Sequence, residues 1–375
     1  MVNGEWAFRC RHPPRAPPRA PHSPFTIHHS PRTIPRSYFS DVPPSILLVR
    51  FSSIGDIILT TPIVRAIRAR HPGARISYVV REDLADLLRH NPRIDRLITW
   101  PHRGPMGPLA ALLKQESWTH RLDLHGSLRS RHLRLLVGGE WHGYPKHRLR
   151  RSLLIATKRA RGGFLGPIVE RYALAARDLD ITLDDRPAEI FISVEAEQAA
   201  ARFLAEHALG RTRRLVALIP GAAHFTKRWP PEHWRALVDR LAATTDIVIL
   251  GGDAERELGD SMVEVGGGAV ANAAGRFTLL GSAALLRKAA AAVAGDTGLM
   301  HMANAVGTPV IALYGPGVEQ FGFFPWQAAA RVLERDLPCR PCSAHGSARC
   351  PLGHHLCLRD ITPLDVVQSL ERPPR

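Results

Sequence analysis

Residues 293–316 of this 375-residue chain read VAGDTGLMHMANAVGTPVIALYGP. The short apolar run over 290–294 has the length of a buried parallel strand. Gly295-Asp296-Thr297-Gly298 then turns the chain, and apolar residues from Leu299 to Val306 recur at helical spacing. Gly307-Thr308-Pro309 closes that helix, and 310–313 reads as the next strand. A strand–turn–helix–strand unit with its polar residues gathered in the turn belongs in an open parallel α/β sheet, where ligands bind beyond the carboxyl ends of the strands. Free N–H groups at the helix start, with the positive end of the dipole, suit a phosphate or carboxylate. His301 lies about one turn inside the helix and can face the same crevice as Thr297. On pattern alone, Asp296 and Thr297 serve equally well as an N-cap pair and His301 as a surface histidine.

The same grammar recurs nearer the start of the chain. A continuous apolar strand over 46–50 feeds Phe51-Ser52-Ser53-Ile54-Gly55-Asp56, then an amphipathic helix to about residue 70 with Pro62 predicted to kink it. Asp56 in the first helical turn is either a cap or dipole partner or a chemical group. Further strands are predicted over 75–80 and 94–100 around a helix at 83–89. The stretch from Arg121 to Gly126 reads as a strand ending in a polar turn, followed by a helix carrying Arg129, Arg131 and Arg134. Asp123 in that turn reads chiefly as a tie between strands. The run 146–161 is dense in cations, among them Lys146, Arg148, Arg150 and Arg151, without the interleaved aromatics that support single-stranded nucleic acid. A helix over 169–179 leads to a linker starting at 184–189, and a helix over 195–209 leads to a strand at 215–219. The loop 220–230, PGAAHFTKRWP, then offers small residues that let backbone approach a ligand, beside the cations Lys227 and Arg228. A strand at 247–250 ends in Gly251-Gly252-Asp253-Ala254-Glu255, a helix follows over 278–291, and a last helix spans 362–370.

The chain is long enough for two domains with their own cores. It has no run of about 18 apolar residues that would cross a membrane, and residues 1–44 lack the apolar h-region of a signal peptide. A cytoplasmic location is therefore expected, with peripheral contact at the inner membrane face. A net charge of +16 and a pI near 10.7 point to polyanionic company: nucleic acid, an anionic membrane or a phosphorylated substrate. Part of that excess lies in the Pro- and Arg-rich stretch 1–44, which has too few large apolar residues for a core and is predicted to be a disordered tail. Cys339, Cys342, Cys350 and Cys357 form a local cluster with only one CxxC spacing. They can form a structural zinc site, buried thiols or a disulfide.

Four stretches, in order, resemble glycosyltransferase family 9, the ADP-heptose:lipopolysaccharide heptosyltransferases. They are the S-x-G-D turn ending at Asp56, the D-L-x-G run from Asp123, the G-x-x-x-x-x-K-x-W-P loop from Gly221 to Pro230, and the D-T-G-x-x-H run from Asp296 to His301. Together they cover roughly 46–367. The cysteine pattern is similar to that of the second-heptose type, heptosyltransferase II.

The resemblance implies a GT-B architecture of two Rossmann-like domains facing a crevice. An acceptor-side domain over 45–190 follows the tail. A nucleotide-sugar domain over 191–375 ends in the cysteine-rich segment and terminal helix. Asp56 takes the role of catalytic base. Lys227 contacts the donor phosphate with Thr226 as a further hydrogen-bonder, Glu255 holds the ribose, and Asp296, Thr297, Gly298 and His301 complete the donor site. Arg150 and Arg151 are assigned to an anionic acceptor. The implied reaction is inverting, metal-independent transfer of heptose from an ADP-sugar donor to the lipopolysaccharide inner core. The acceptor is an anionic lipid-linked saccharide. Neither cofactor nor nucleic-acid partner is implied.

Rival readings are another GT-B enzyme using a different nucleotide sugar, a basic nucleic-acid-binding protein, and a nicotinamide-dependent oxidoreductase. The second lacks any recognisable nucleic-acid motif, and the third lacks G-x-G-x-x-G in either strand–turn–helix.

Overall fold

The computed structural model describes residues 43–158 and 165–372. The expectations for the tail, and for the end of the basic run at 159–161, lie outside them. Two all-parallel sheets carry the fold. The first contains β1 (Ser45–Val49), β2 (Arg75–Arg81), β3 (Arg96–Trp100), β4 (His120–Asp123) and β5 (His142–Gly143), in the order β3-β2-β1-β4-β5. The second contains β6 (Arg214–Ile219), β7 (Thr245–Ile249), β8 (Val270–Asn272), β9 (Ala291–Gly295), β10 (Val310–Tyr314) and β11 (Ala330–Glu334), in the order β11-β10-β9-β6-β7-β8.

The central strands of both sheets are buried on both faces, which is why they read as unbroken apolar runs and not as alternating ones. In β1, Ile46 and Leu48 pack into the layer shared with Ile57, Ile63 and Tyr78. Leu47 and Val49 point the other way, onto Phe51, Trp100 and Met106. β6 divides likewise, with Leu215, Ala217 and Ile219 on one face and Val216 and Leu218 against Trp229 and Trp234 on the other. One apolar layer runs continuously from residues of the first half to residues of the second. Among the described residues, no helix is long and apolar enough to cross a membrane.

The strand orders fix where ligands can bind. In the first sheet the chain steps from β1 to β2 and β3 on one side, then returns to place β4 on the other side of β1. The second sheet repeats the reversal at β6, with β7 on one side and β9 on the other. Loops leaving neighbouring strands in opposite directions open a crevice at each switch point.

Local structure departs from expectation at three predicted helices. The helix after β1 is two, Ile54–Ile58 and Thr61–Arg70, with Pro62 in the first turn of the second. There its missing N–H costs nothing. The helix predicted over 83–89 is a 3-10 turn, Glu82–Leu84, and a four-residue helix, Asp86–Arg89. The one predicted over 169–179 is Ile168–Ala173 followed by a 3-10 stretch, Leu174–Leu179. Part of the cationic run forms the helix Arg148–Thr157.

Candidate active site

A crevice of about 1180 Å³ lies between the carboxyl ends of the two sheets. Its floor is where the helix Ile54–Ile58 meets the helix Gly298–Ala305. A Cβ at Gly298 would lie 2.7 Å from Cβ of Ile54, and one at Gly55 would lie 2.7 Å from Cδ2 of His301. Only glycine allows this approach at both positions.

From the first half, Asp56 enters the crevice from the turn after β1. One carboxylate oxygen accepts from the Tyr172 hydroxyl at 2.8 Å and pairs with an Arg50 guanidinium nitrogen at 2.7 Å. The other accepts from the Ser53 hydroxyl at 2.7 Å. Burial alone would raise the Asp56 pKa, but Arg50 foremost, then Ser53 and Tyr172, outweigh it and hold the carboxyl well below its usual range. Arg50 is itself fastened by donating to the Leu124 carbonyl at 2.6 Å, beyond β4. Burial and the neighbouring charges of Arg50 and Lys146 push His125 down to about 3, so its ring, edge-on to Phe51, is neutral. Asp123 accepts from the backbone N–H groups of His125 and Gly126 and from the Ser130 hydroxyl, so it ties its own turn to the following helix start, not strand to strand.

From the second half, Lys227, Glu255, Asp296, Thr297, Gly298 and His301 all line the same crevice. Lys227 Nζ lies 2.6 Å from Asp296 Oδ2. Thr297 caps its helix by accepting from the Met300 N–H. Glu255 accepts from the Gly252 N–H at 2.9 Å. A Cβ at Gly221 would fall 2.5 Å from the Glu255 carboxyl carbon, so the glycine opening the 220–230 loop makes room for that carboxylate. Asp253 instead points outward, paired with Arg256. His301 is buried, and burial lowers its pKa more than the nearby Asp296 raises it.

Two sequence assignments need correction. Thr226 is fully buried and absent from the crevice wall. Its hydroxyl accepts from Ser347 N–H at 2.8 Å and donates to Ser347 carbonyl at 3.2 Å. Its hydrogen-bonding capacity is spent on pinning the cysteine-rich segment to the loop, leaving nothing for a phosphate. Arg150 is exposed and off the crevice wall, whereas its neighbour Arg151 lines it. Successive helical residues point about 100° apart, so the turn that brings Arg151 to the crevice carries Arg150 away from it.

Further residues in the wall carried no individual assignment, namely Arg50, Tyr144, Arg171 and His345; Lys146, from the basic run read toward an anionic acceptor, lines it as well. Burial, then repulsion from Arg50 and Arg148, lowers the Lys146 pKa to about 8. Burial also lowers the pKa values of Arg151 and Arg171, and the Nε of each lacks a hydrogen-bond partner. Arg151 donates to the Ala344 carbonyl at 2.9 Å and lies over the Phe321 ring, and Arg171 donates to the Phe321 carbonyl at 2.5 Å. These cations of the first half thus reach elements of the second. Among the described residues, Cys339, Cys342, Cys350 and Cys357 are free thiols. Among the described residues, no three His, Cys, Asp or Glu side chains are grouped so as to hold a metal ion. Burial pushes Cys357 up to about 11 and raises Cys342 as well, with the neighbouring cysteines adding to both shifts.

Comparison with known proteins agrees with this geometry. The sequence profile of glycosyltransferase family 9 (heptosyltransferase) matches residues 106–352. The chain belongs to that family. It is 29% identical over 338 residues to lipopolysaccharide heptosyltransferase 1 of Pseudomonas aeruginosa, covering 79% of this chain and 85% of that one. It is 27% identical over 351 residues to lipooligosaccharide heptosyltransferase 2 of Haemophilus influenzae, covering 87% and 98%. The solved structure of the Escherichia coli ADP-heptose lipopolysaccharide heptosyltransferase II superimposes with a TM-score of 0.67 at 26% identity, over 87% of this chain and 97% of that one. The architecture is accordingly that of the GT-B-type heptosyltransferases, and this family 9 chain is a glycosyltransferase.

Proposed function

We propose that the protein transfers heptose from ADP-heptose to the lipopolysaccharide inner core, with inversion and without a metal ion. The observation that carries this reading is that one crevice brings the Asp56 carboxylate from the first sheet to face Lys227 and the Thr297-capped helix start from the second. The donor diphosphate occupies the second half. There Lys227 and the N–H groups at Gly298 stabilise the charge that builds on the leaving group. Glu255 accepts from the ribose hydroxyls. Asp296 leaves Lys227 to the phosphate and orients Thr297 or the sugar hydroxyls.

The acceptor occupies the first half, over 45–190, with Arg151 toward its anionic groups. Asp56 removes a proton from the attacking hydroxyl as the bond to the anomeric carbon forms and the bond to the diphosphate breaks. Such a base contributes ~10²–10⁴-fold. One base and one displacement give inversion. Held by Arg50, Tyr172 and Ser53, Asp56 stays ionised and aimed, at the expense of basicity. The acceptor is membrane-linked, which fits a cytoplasmic enzyme working peripherally at the inner membrane.

Incubation with ADP-heptose and a panel of lipid-linked inner-core acceptors, with the anomeric configuration of the product read by NMR, tests the reading. Transfer with inversion supports it. Turnover with a different nucleotide sugar and none with ADP-heptose overturns it.

A further inference from the structure

Segment 126–158 carries eight Arg or Lys residues and a single acid, Glu140. It also holds four of the large apolar side chains that the fold leaves in solvent: Leu128, 82% exposed, Leu135, 83%, Leu149, 88%, and Leu153, 50%. They belong to two helices, Leu128–Val137 and Arg148–Thr157. Leu128 and Leu135 are two turns apart, and Leu149 and Leu153 one turn apart, so each pair forms a stripe. The exposed positions beside them are Arg129, Arg131 and His132 on one helix and Arg148 and Arg150 on the other. Among the described residues, Arg129, Arg131 and Arg150 have no carboxylate within ion-pair distance. Both helices border a notch of about 320 Å³, lined by Arg131, Arg134, Lys146, His147 and Arg148. An Arg148 guanidinium nitrogen approaches the Gly126 carbonyl at 3.4 Å across it. Its acid, Asp123, is spent on the turn it ties. Tyr144, Lys146 and Arg148 line both this notch and the main crevice.

We propose that these two helices dock the enzyme on an anionic lipid bilayer, with Leu128, Leu135, Leu149 and Leu153 entering the interface and the notch receiving a headgroup phosphate. Exposed leucines alone would fit any apolar partner, and exposed arginines alone any polyanion. Leucines set among unpaired arginines fit a surface that is apolar below and negative above. Because the notch shares a wall with the crevice, a membrane-linked acceptor enters the site from the docked side. This deepens the proposed function by naming the surface that meets the acceptor's membrane.

The test is flotation of the full-length chain with vesicles of phosphatidylcholine alone or mixed with phosphatidylglycerol. It needs neither donor nor acceptor, so its outcome is independent of whether heptose is transferred. The wild type is expected to float with the anionic vesicles, to be released by salt, and to stay behind with neutral ones. Leu128→Ser with Leu149→Ser, and separately Arg129→Gln with Arg131→Gln, should each weaken capture at least five-fold with ADP binding unchanged. The N-terminal 42 residues are common to all variants, so any difference belongs to this face. Unchanged capture of the leucine pair overturns the proposal, whether the arginine pair binds normally or not. So does equal capture on neutral vesicles. Concentration-dependent dimerisation of the wild type that the leucine pair abolishes would show instead a contact between copies.

Discussion

Lys227 Nζ lies 2.6 Å from Asp296 Oδ2, so the cation assigned to the donor phosphate already holds a carboxylate. A diphosphate must displace that partner. It does so with more charge and more acceptor oxygens, in a crevice that screens the exchange less than water does. Lys227→Ala should therefore weaken ADP binding by ~1.5–3 kcal/mol, the loss of a charge-assisted hydrogen bond. Asp296→Asn frees Lys227 and should tighten ADP itself. Calorimetry with ADP alone reads both; unchanged affinity of Lys227→Ala would remove it from the donor site.

Asp56→Asn should lower kcat by ~10²-fold or more while ADP affinity stays near wild type. The amide oxygen can still accept from Arg50 and Tyr172 and the amide nitrogen can donate to the Ser53 hydroxyl, so the change removes the base and largely spares the turn. A near-normal rate would leave Asp56 as a helix cap.

Arg50 makes the Asp56 carboxyl resistant to acid, and its removal has a signed consequence. A carboxylate with a depressed folded pKa contributes stability that is present above the unfolded pKa, about 3.9, and lost as pH falls through the folded value. Arg50→Met removes the largest force opposing burial, so the Asp56 pKa rises. The acid limb of kcat/KM should move to higher pH, and stability above pH 4 should fall by about 3–5 kcal/mol, as for a buried pair broken on one side. Arg50→Lys should restore part of both. An unmoved acid limb would show that Asp56 does not set it.

Arg151→Ala should raise the acceptor KM, more at low salt than at high, while Arg150→Ala should barely change it, since only Arg151 faces the crevice. Steady-state kinetics on an anionic acceptor separates the two. Equal effects would place the acceptor outside the crevice.

Thr226→Val leaves Ser347 without its double partner and should cost about 1–3 kcal/mol of stability, with ADP affinity retained. Thermal melts and calorimetry on the same sample decide. Lost ADP affinity with an unchanged melt would return Thr226 to the phosphate.

Local pattern revealed most of what depends on local pattern. The strand–turn–helix units around Asp56 and Thr297 were legible because small polar turns between apolar strands and helices have few other uses, and so was the small-residue loop bearing Lys227. Glu255 was separable from Asp253 only by resemblance; in the structure Glu255 lines the crevice beside Gly221, and Asp253 pairs with Arg256 away from it. Tyr172 was illegible. It reaches Asp56 across 116 residues, and nothing in the helix around it signals a partner. Arg50 carried a faint sign, a charge closing an otherwise apolar strand. Thr226 misled because a threonine beside a lysine in a small-residue loop has the right chemistry for a phosphate; only the long-range pairing with Ser347 shows that its hydroxyl is taken.

At Gly55 and Gly298 the halves touch without room for one added carbon on either side. That contact sets the separation of the two turns. Asp56 stands one residue from it on one side, and Thr297 one residue on the other. The gap between the carboxylate proposed as base and the helix start proposed for the donor is thus gauged by two missing methyl groups.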